Sequence, residues 1–360
     1  MLFRSGFIPG RSCATNLAAF FETVTAAVDR GEAVDAVFLD FAKAFDKVPT
    51  KRLLKKVRAH GISGRILRWI EEWLSGRRQR VVIDGEASAW TAVLSGVPQG
   101  SVLGPLLFII FINDLDLATT AATVSAKFAD DTKVAKIIRG RACAQELQAT
   151  LDRLCEWART WCMEVNVLKC KVMHFGARNP RHEYYMNGHK LQVTEEERDI
   201  GVTITANLKP SAQCKKAAAT ARTVLGQLSR TFHYRDRHVF LKLYQTYVRP
   251  HLEFCTPAWS PWMIGDKDCL EKVQKKAVGM ISGLRGGTYE EKLQELGLET
   301  LEERRLRMDQ ALVNKIVHGV ADLNKDQWFE MADPTRRSEE HTSELQSHSD
   351  LVCRLLLEKK

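Results

Sequence analysis

The residues best suited to chemistry are Asp40, in VFLDFAKAFDKV, and the Asp130-Asp131 pair, in KFADDTKV. Asp40 is expected at the end of a short apolar strand, where a rigid element can hold a carboxylate at the edge of a cleft. Asp130 and Asp131 are expected at the tip of a hairpin. Three carboxylates from two such elements could hold a pair of hard divalent ions ~4 Å apart, activating an attacking hydroxyl and stabilising a leaving anion. Neither motif is decisive alone. With 19 Asp in 360 residues, about one Asp-Asp pair arises by chance, and an isolated Asp more often caps a helix or pairs with a cation.

Order and company raise the odds. Between the two acidic motifs lies SGVPQGSVLGP, in which Gly96, Gly100 and Gly104 allow close backbone approach and Gln99 can hydrogen-bond a base or sugar. Phe45 follows Asp40 by five residues, where an aromatic ring could press on the sugar of a nucleotide.

The elements that must position these groups read as alternating helices and strands. Ser12 can cap a helix whose Leu17, Phe20, Phe21, Val24 and Val28 share a face, with Gly31 as its stop. A strand over 34–40 follows, then helices over 50–60 and 63–74, and a hairpin turning at Asp84-Gly85. An apolar helix is predicted over 106–115 and two strands over 124–138. A helix over 142–162 and a hairpin with Asn187-Gly188 at its tip come next. Beyond Pro210 the pattern is helical almost throughout. No internal repeat is present, so the economical architecture is an α/β half followed by a basic helical half.

The chain carries 53 Lys+Arg against 44 Asp+Glu, a formal charge of +9, with 45% hydrophobic and 27% charged residues. That composition excludes a disordered tail and a collagen-like repeat. Charge is uneven: residues 51–83 hold ten basic against two acidic side chains, and residues 207–285 hold fourteen against five. Two long basic stretches suggest a polyanion track with salt-sensitive phosphate contacts. The longest apolar run, Leu106 to Ile112, is far short of the ~20 residues that cross a bilayer, and the N-terminus has no signal pattern, so no membrane partner is expected. Nine cysteines without a C-x-x-C pair read as reduced thiols of an intracellular protein.

With these residues in view, the sequence resembles the reverse transcriptases of non-LTR, LINE-like retrotransposons of the jockey type. The resemblance rests on GFIPGRS at 6–12, FLDFAKAFDKV at 38–48, SGVPQGSVLGPLLFIIFINDL at 95–115 and FADD at 128–131. Asn166 and Lys169 in NVLKCK, DIGVTI at 199–204 and YVRPHLEFCTPAWSPW at 247–262 extend it. It covers roughly residues 6–320, and a six-residue identity such as GVPQGS has a chance of order 10⁻⁵. The resemblance implies an RNA-directed DNA polymerase of α/β (α+β) class, a right-hand palm with partial fingers followed by a mostly helical thumb. It would take an RNA template, a DNA primer, dNTPs and two Mg²⁺ ions, with Mn²⁺ as a substitute.

Carried over residue by residue, Asp40 and Asp130 would be metal ligands and Asp131 the accompanying carboxylate. Phe45 would exclude a 2′-hydroxyl, Gln99 and Gly100 would line the nucleotide and template pocket, and Lys169 could protonate the leaving pyrophosphate. DIGVTI would grip the primer end. Lys215, Lys216, Arg222 and Arg230 would track the nucleic-acid backbone. Trp259 and Trp262 could stack on bases, although packing is the commoner role for such residues. The expected domains are a fingers remnant at 1–33, a palm at 34–205 with inserted helices at 50–75, and a thumb and post-thumb region at 206–336. Nuclear location, with a cytoplasmic ribonucleoprotein stage, is expected by the same resemblance.

Departures bear on activity. The fingers of such enzymes begin well before GFIPGRS, and the upstream endonuclease and a ribonuclease H cluster are not seen, so the chain reads as an internal fragment of a longer polyprotein. Residues 337–360, RSEEHTSELQSHSDLVCRLLLEKK, resemble the conceptual translation of a sequencing-library adapter rather than an evolved tail. A catalytically silent remnant that binds RNA or RNA/DNA hybrid is the rival reading. An intron maturase or telomerase is disfavoured by the jockey-like region after Tyr247.

Overall fold

The structure is a computed structural model, and it describes residues 2–5, 10–119, 124–284 and 286–329. The first residues of GFIPGRS and the adapter-like segment lie outside them. The chain divides into two compact units, residues 1–11 with 26–195, and residues 12–25 with 196–360.

In the first unit, β1 (Leu2–Ser5), part of α1 (Cys13–Asp29) and β2 (Ala33–Leu39) come first. The Ser12 hydroxyl accepts from the Thr15 N–H at 3.1 Å, the expected cap of α1. Short α2 (Ala44–Lys47), then α3 (Thr50–Ala59) and α4 (Gly64–Leu74), lead into a hairpin of β3 (Arg78–Gln79), β4 (Val82–Ile83), β5 (Glu86–Ala87) and β6 (Thr91–Ala92). Its turn is at Asp84-Gly85, both at positive φ, as the sequence predicts. Helix α5 (Leu103–Ile112) runs into a 3-10 turn at Asn113–Ala118. Strands β7 (Val124–Phe128) and β8 (Asp131–Ile138), helix α6 (Arg141–Trp161) and strand β9 (Lys171–Phe175) follow. The unit closes with a hairpin of β10 (Tyr185–Met186) and β11 (His189–Lys190), and with β12 (Gln192–Val193).

One six-stranded sheet organises the unit, in the order β1-β7-β8-β2-β9-β12. The inner pairs are antiparallel and the two edges parallel. Strand β2 is central and buried along its whole length, which is why it reads as an apolar run broken only by Asp35 rather than an alternation. Val37, Leu39, Leu107, Phe108, Phe111, Val134, Leu147, Leu151 and Val172 join one core. Lys56 enters it from α3. Its ammonium donates to the Phe111 carbonyl and to Asp114, and lies over the rings of Phe111, Trp157 and Trp161.

The second unit contains the hairpin of β13 (Glu196–Asp199) and β14 (Val202–Thr205), then α7 (Ser211–Thr231), α8 (Arg237–Leu243), α9 (Arg249–Glu253), α10 (Ile264–Gly279), α11 (Tyr289–Leu296) and α12 (Leu301–Val317). A π-helical turn at Tyr244–Val248 separates α8 from α9. Pro250 has no N–H for the α-helical ladder, so the widened turn just before it is the expected accommodation. Helix α7 buries Cys214, Ala217, Ala218, Ala221 and Leu225. The starts of α11 and α12 each carry a full capping box, Thr288 with Glu291 and Thr300 with Glu303.

Candidate active site

Strand β2 ends at Leu39, and Asp40 follows at the point where the chain leaves the sheet. Its main chain is fixed from β9's side: the Asp40 N–H reaches the Cys170 sulfur at 3.4 Å, and the Asp40 carbonyl accepts from the Asn166 N–H at 2.8 Å. Phe41 bridges to Val165, and the Ala42 N–H donates to Glu164 at 2.8 Å. Segment 164–170 therefore straps the end of β2. Burial pushes the Cys170 thiol up to about 11, so it acts there as a neutral packing group.

The turn between β7 and β8 brings the second carboxylate. Leu39 pairs with Thr132, so the hairpin tip lies level with the end of β2, and Ala129 takes a left-handed conformation to make the turn. The Asp130 pKa is raised, first by burial and then by the facing charge of Asp40, against a lowering backbone hydrogen bond. Two carboxylates 90 residues apart in sequence thus lie at the same end of the sheet. Lys169 reaches the same place, its ammonium 3.9 Å from an Asp40 oxygen, with both side chains partly in solvent. Asp131 is the first residue of β8, cross-strand from Phe128, and is exposed.

Two facing carboxylates, one of them resisting ionisation, are the donor set that a hard divalent cation relieves, with phosphate oxygens completing its shell. Asp40 and Asp130 are oxygen donors of the kind such an ion takes. Among the described residues no three His, Cys, Asp or Glu side chains come together as a metal cluster.

Asp35, on the same strand, is spent differently. It is fully buried, paired with His174 Nδ1 at 2.6 Å, and accepts from the Tyr184 hydroxyl at 2.6 Å and the Asn179 amide at 2.7 Å. It serves the core, whereas Asp40 is partly exposed at the strand's end.

Phe45 and Gln99 are brought together by a dense staple. The Gly96 N–H donates to Val48 at 2.8 Å and the Val97 N–H to Phe45 at 2.9 Å. The Ser95 hydroxyl donates to the Asp46 carbonyl at 2.7 Å, and the Gln99 amide nitrogen donates to the Asp46 carboxylate at 2.8 Å. Gly96, at φ +91°, presses so close that an added Cβ would lie 2.7 Å from the Asp46 oxygen. The tight approach expected at Gly96 and Gly104 is therefore to the protein's own backbone, whereas Gly100 faces open space. Phe45 stacks on buried Phe108 with centroids 4.2 Å apart and planes 16° apart, which fixes its ring. Asp46 is the site residue that sequence reasoning missed: nothing in the sequence links it to Gln99, 53 positions away.

In the second unit, Lys215, Lys216, Arg222 and Arg230 are all exposed on α7. Lys215, Arg222 and Arg230 recur at spacings of seven and eight, one stripe of a helix. Lys216 is paired with Glu196. DIGVTI spans the last residue of β13, the turn and most of β14. Trp259 is buried, its indole N–H donating to the Phe254 carbonyl at 2.8 Å, so it packs; Trp262 is exposed.

Residues 3–226 match the family model described as reverse transcriptase (RNA-dependent DNA polymerase). The chain belongs to this reverse transcriptase family. It is 27% identical over 271 residues to the RNA-directed DNA polymerase from mobile element jockey of Drosophila melanogaster, covering 71% of this chain and 29% of that protein. It is 32% identical over 176 residues to the probable RNA-directed DNA polymerase from transposon X-element of the same fly, covering 47% and 19%. The chain thus spans less than a third of the length of these curated relatives. Among solved structures, apo telomerase from Candida tropicalis aligns over 88% of this reverse transcriptase chain and 51% of that one, at 8% identity and TM-score 0.45. Among the described residues, no helix is long and apolar enough to cross a membrane.

Proposed function

We propose that this chain carries the catalytic palm and thumb of a non-LTR retrotransposon RNA-directed DNA polymerase, which adds dNTPs to a DNA primer annealed to RNA. The observation that carries the proposal is the strand register that sets Asp40 and the Asp130-Asp131 turn at the same end of the central sheet. These two carboxylates would hold Mg²⁺, which when bound lowers the pKa of a primer hydroxyl and offsets phosphate charge. Asp131, one residue along, would be the accompanying carboxylate.

The chain's own residues would do the rest. Phe45, braced by Phe108, would fill the space beside the sugar and disfavour a 2′-hydroxyl. Gln99, held by Asp46, would present its free amide oxygen to the nucleotide or template. Lys169 would give a proton to the leaving pyrophosphate. The exposed stripe Lys215, Arg222 and Arg230, with Lys216, would follow phosphates without reading bases.

The test separates polymerase from silent remnant. RNA/DNA hybrid binding and single-nucleotide extension are measured on the same preparation, with and without Mg²⁺. Binding whose log-log salt slope drops by about 0.9 for each neutralised α7 cation, together with Mg²⁺-dependent extension, supports the polymerase. Binding without extension, in this chain and in a version lengthened upstream, makes it a remnant.

A further inference from the structure

The β3–β6 hairpin is an arm with no cover. Every residue from 78 to 92 is exposed, including Val81, Val82, Ile83 and half of the Trp90 surface. A two-stranded hairpin with neither face packed is marginal in water, so this one is built to be covered by something.

Residues 78–92 hold Arg78 and Arg80 against Asp84 and Glu86, and the carboxylates lie at the turn, so what covers the arm is indicated by the cations local to its Trp90 end. Arg78 pairs with Ala92 and Gln79 with Thr91, so the register carried one residue further sets Arg80 across from Trp90. The Arg80 guanidinium lies 4.7 Å from the indole ring centre and that of Arg78 lies 6.0 Å away. Neither arginine is ion-paired to a carboxylate among the described residues, and exposed Arg65 and Arg68 lie on α4 just before the arm. An exposed indole flanked by two such guanidiniums matches a partner that offers flat bases and phosphates together. The arm's base is also tied to the candidate pocket: the Arg77 guanidinium donates to the Gly96 carbonyl at 2.6 Å, three residues before Gln99.

We infer that this arm is a binding site for single-stranded RNA, with Trp90 stacking on an unpaired base and Arg78 and Arg80 contacting the flanking phosphates. The inference rests on the polymerase reading, in which unpaired template must approach Gln99. An exposed indole beside cations is a sequence-tolerant stacking platform, which suits a template of any sequence.

The test is equilibrium binding of a 12-nucleotide oligo(U) and of a 12-base-pair RNA/DNA hybrid to the full 360-residue chain. Trp90→Ala should weaken oligo(U) binding about ten-fold, the scale of one lost base–aromatic stack, and change hybrid affinity less than about two-fold. Trp90→Phe should restore most of the loss, because a ring remains. Arg80→Ala should lower the salt slope for oligo(U) by about 0.7. Trp90 lies outside the core, so far-ultraviolet circular dichroism should be unchanged in each variant.

Unchanged oligo(U) affinity in Trp90→Ala, with wild-type binding intact, overturns the inference and leaves the polymerase reading standing. The same unchanged affinity with an altered oligomeric state by light scattering makes the arm a contact between copies, which also overturns it. Wild-type protein that binds neither oligo(U) nor hybrid removes both the inference and the reading beneath it.

Discussion

Replacing Gly96 by alanine should damage the site without touching any residue that carries chemistry. A Cβ at this position would sit 2.7 Å from the Asp46 carbonyl oxygen, 2.8 Å from the Asp46 Cα and 2.9 Å from the Phe45 oxygen. All three are backbone atoms, pinned by the hydrogen bonds from Gly96, Val97 and Ser95, so relief must come from moving the 45–48 turn. Forced overpacking costs about 1–3 kcal/mol, and a left-handed conformation costs a residue with a Cβ about 1–2 kcal/mol more. The total is about 2–5 kcal/mol. Gly100→Ala is the control: its φ is +77° but nothing lies within 4 Å of an added Cβ, so only the conformational cost of about 1–2 kcal/mol remains. Urea unfolding of the two variants, with extension kinetics beside it, reads the difference. Gly96→Ala should be the less stable by about 1–3 kcal/mol and should raise the KM for dNTP, because Phe45 and Gln99 both hang from the displaced staple. Equal stability of the two variants would refute the argument that Gly96 exists to admit its own backbone.

Other outcomes follow from the same geometry. Phe45→Ala should raise the ratio of rNTP to dNTP kcat/KM by about ten-fold or more and cost about 2 kcal/mol of stability from the lost stacking on Phe108; matched competition assays and urea unfolding check both. Buried Asp309 has its pKa pushed up to about 7 by burial, against the lowering charge of Arg305. The folded state therefore holds its proton more tightly than the unfolded chain, so this group's contribution is complete below pH ~4 and is lost as pH rises to about 7, by about 4 kcal/mol at most. Asp309→Asn should flatten that part of the stability profile and raise Tm at pH 8 relative to wild type. Removing Lys215, Arg222 and Arg230 together should lower the salt slope of hybrid binding by about 2.7, with α7 still folded because all three are exposed.

Much of this was legible in the sequence where local chemistry decides. The Ser12 cap, the Asp84-Gly85 turn, the Asn187-Gly188 tip, the apolar face of α1 and the helix α6 all appear in the structure because capping, positive φ and helical spacing are short-range signals. Helix α5 starts at Leu103 instead of 106, since Pro105 is tolerated in a first turn where its missing N–H has no partner to lose. What was not legible is long-range. The parallel pairing of β1 with β7 and of β12 with β9 leaves no pattern in such short strands. The Asp46–Gln99 bond, the strap of 164–170 on Asp40 and the close fit of Gly96 join residues far apart in the chain. The hairpin register brings Asp130 to Asp40, while Asp131 begins the β8 strand; a doublet of identical residues in sequence hides that difference.

The most direct test is single-nucleotide extension by Asp130→Asn, measured beside hybrid affinity in the shortest length of the chain that extends a primer. A neutral amide keeps the shape of the turn and cannot hold a divalent cation against water. The account predicts extension reduced by at least about 10³-fold, the scale of a lost electrostatic stabiliser, with hybrid affinity within about two-fold of wild type. Near-wild-type extension by Asp130→Asn would contradict it.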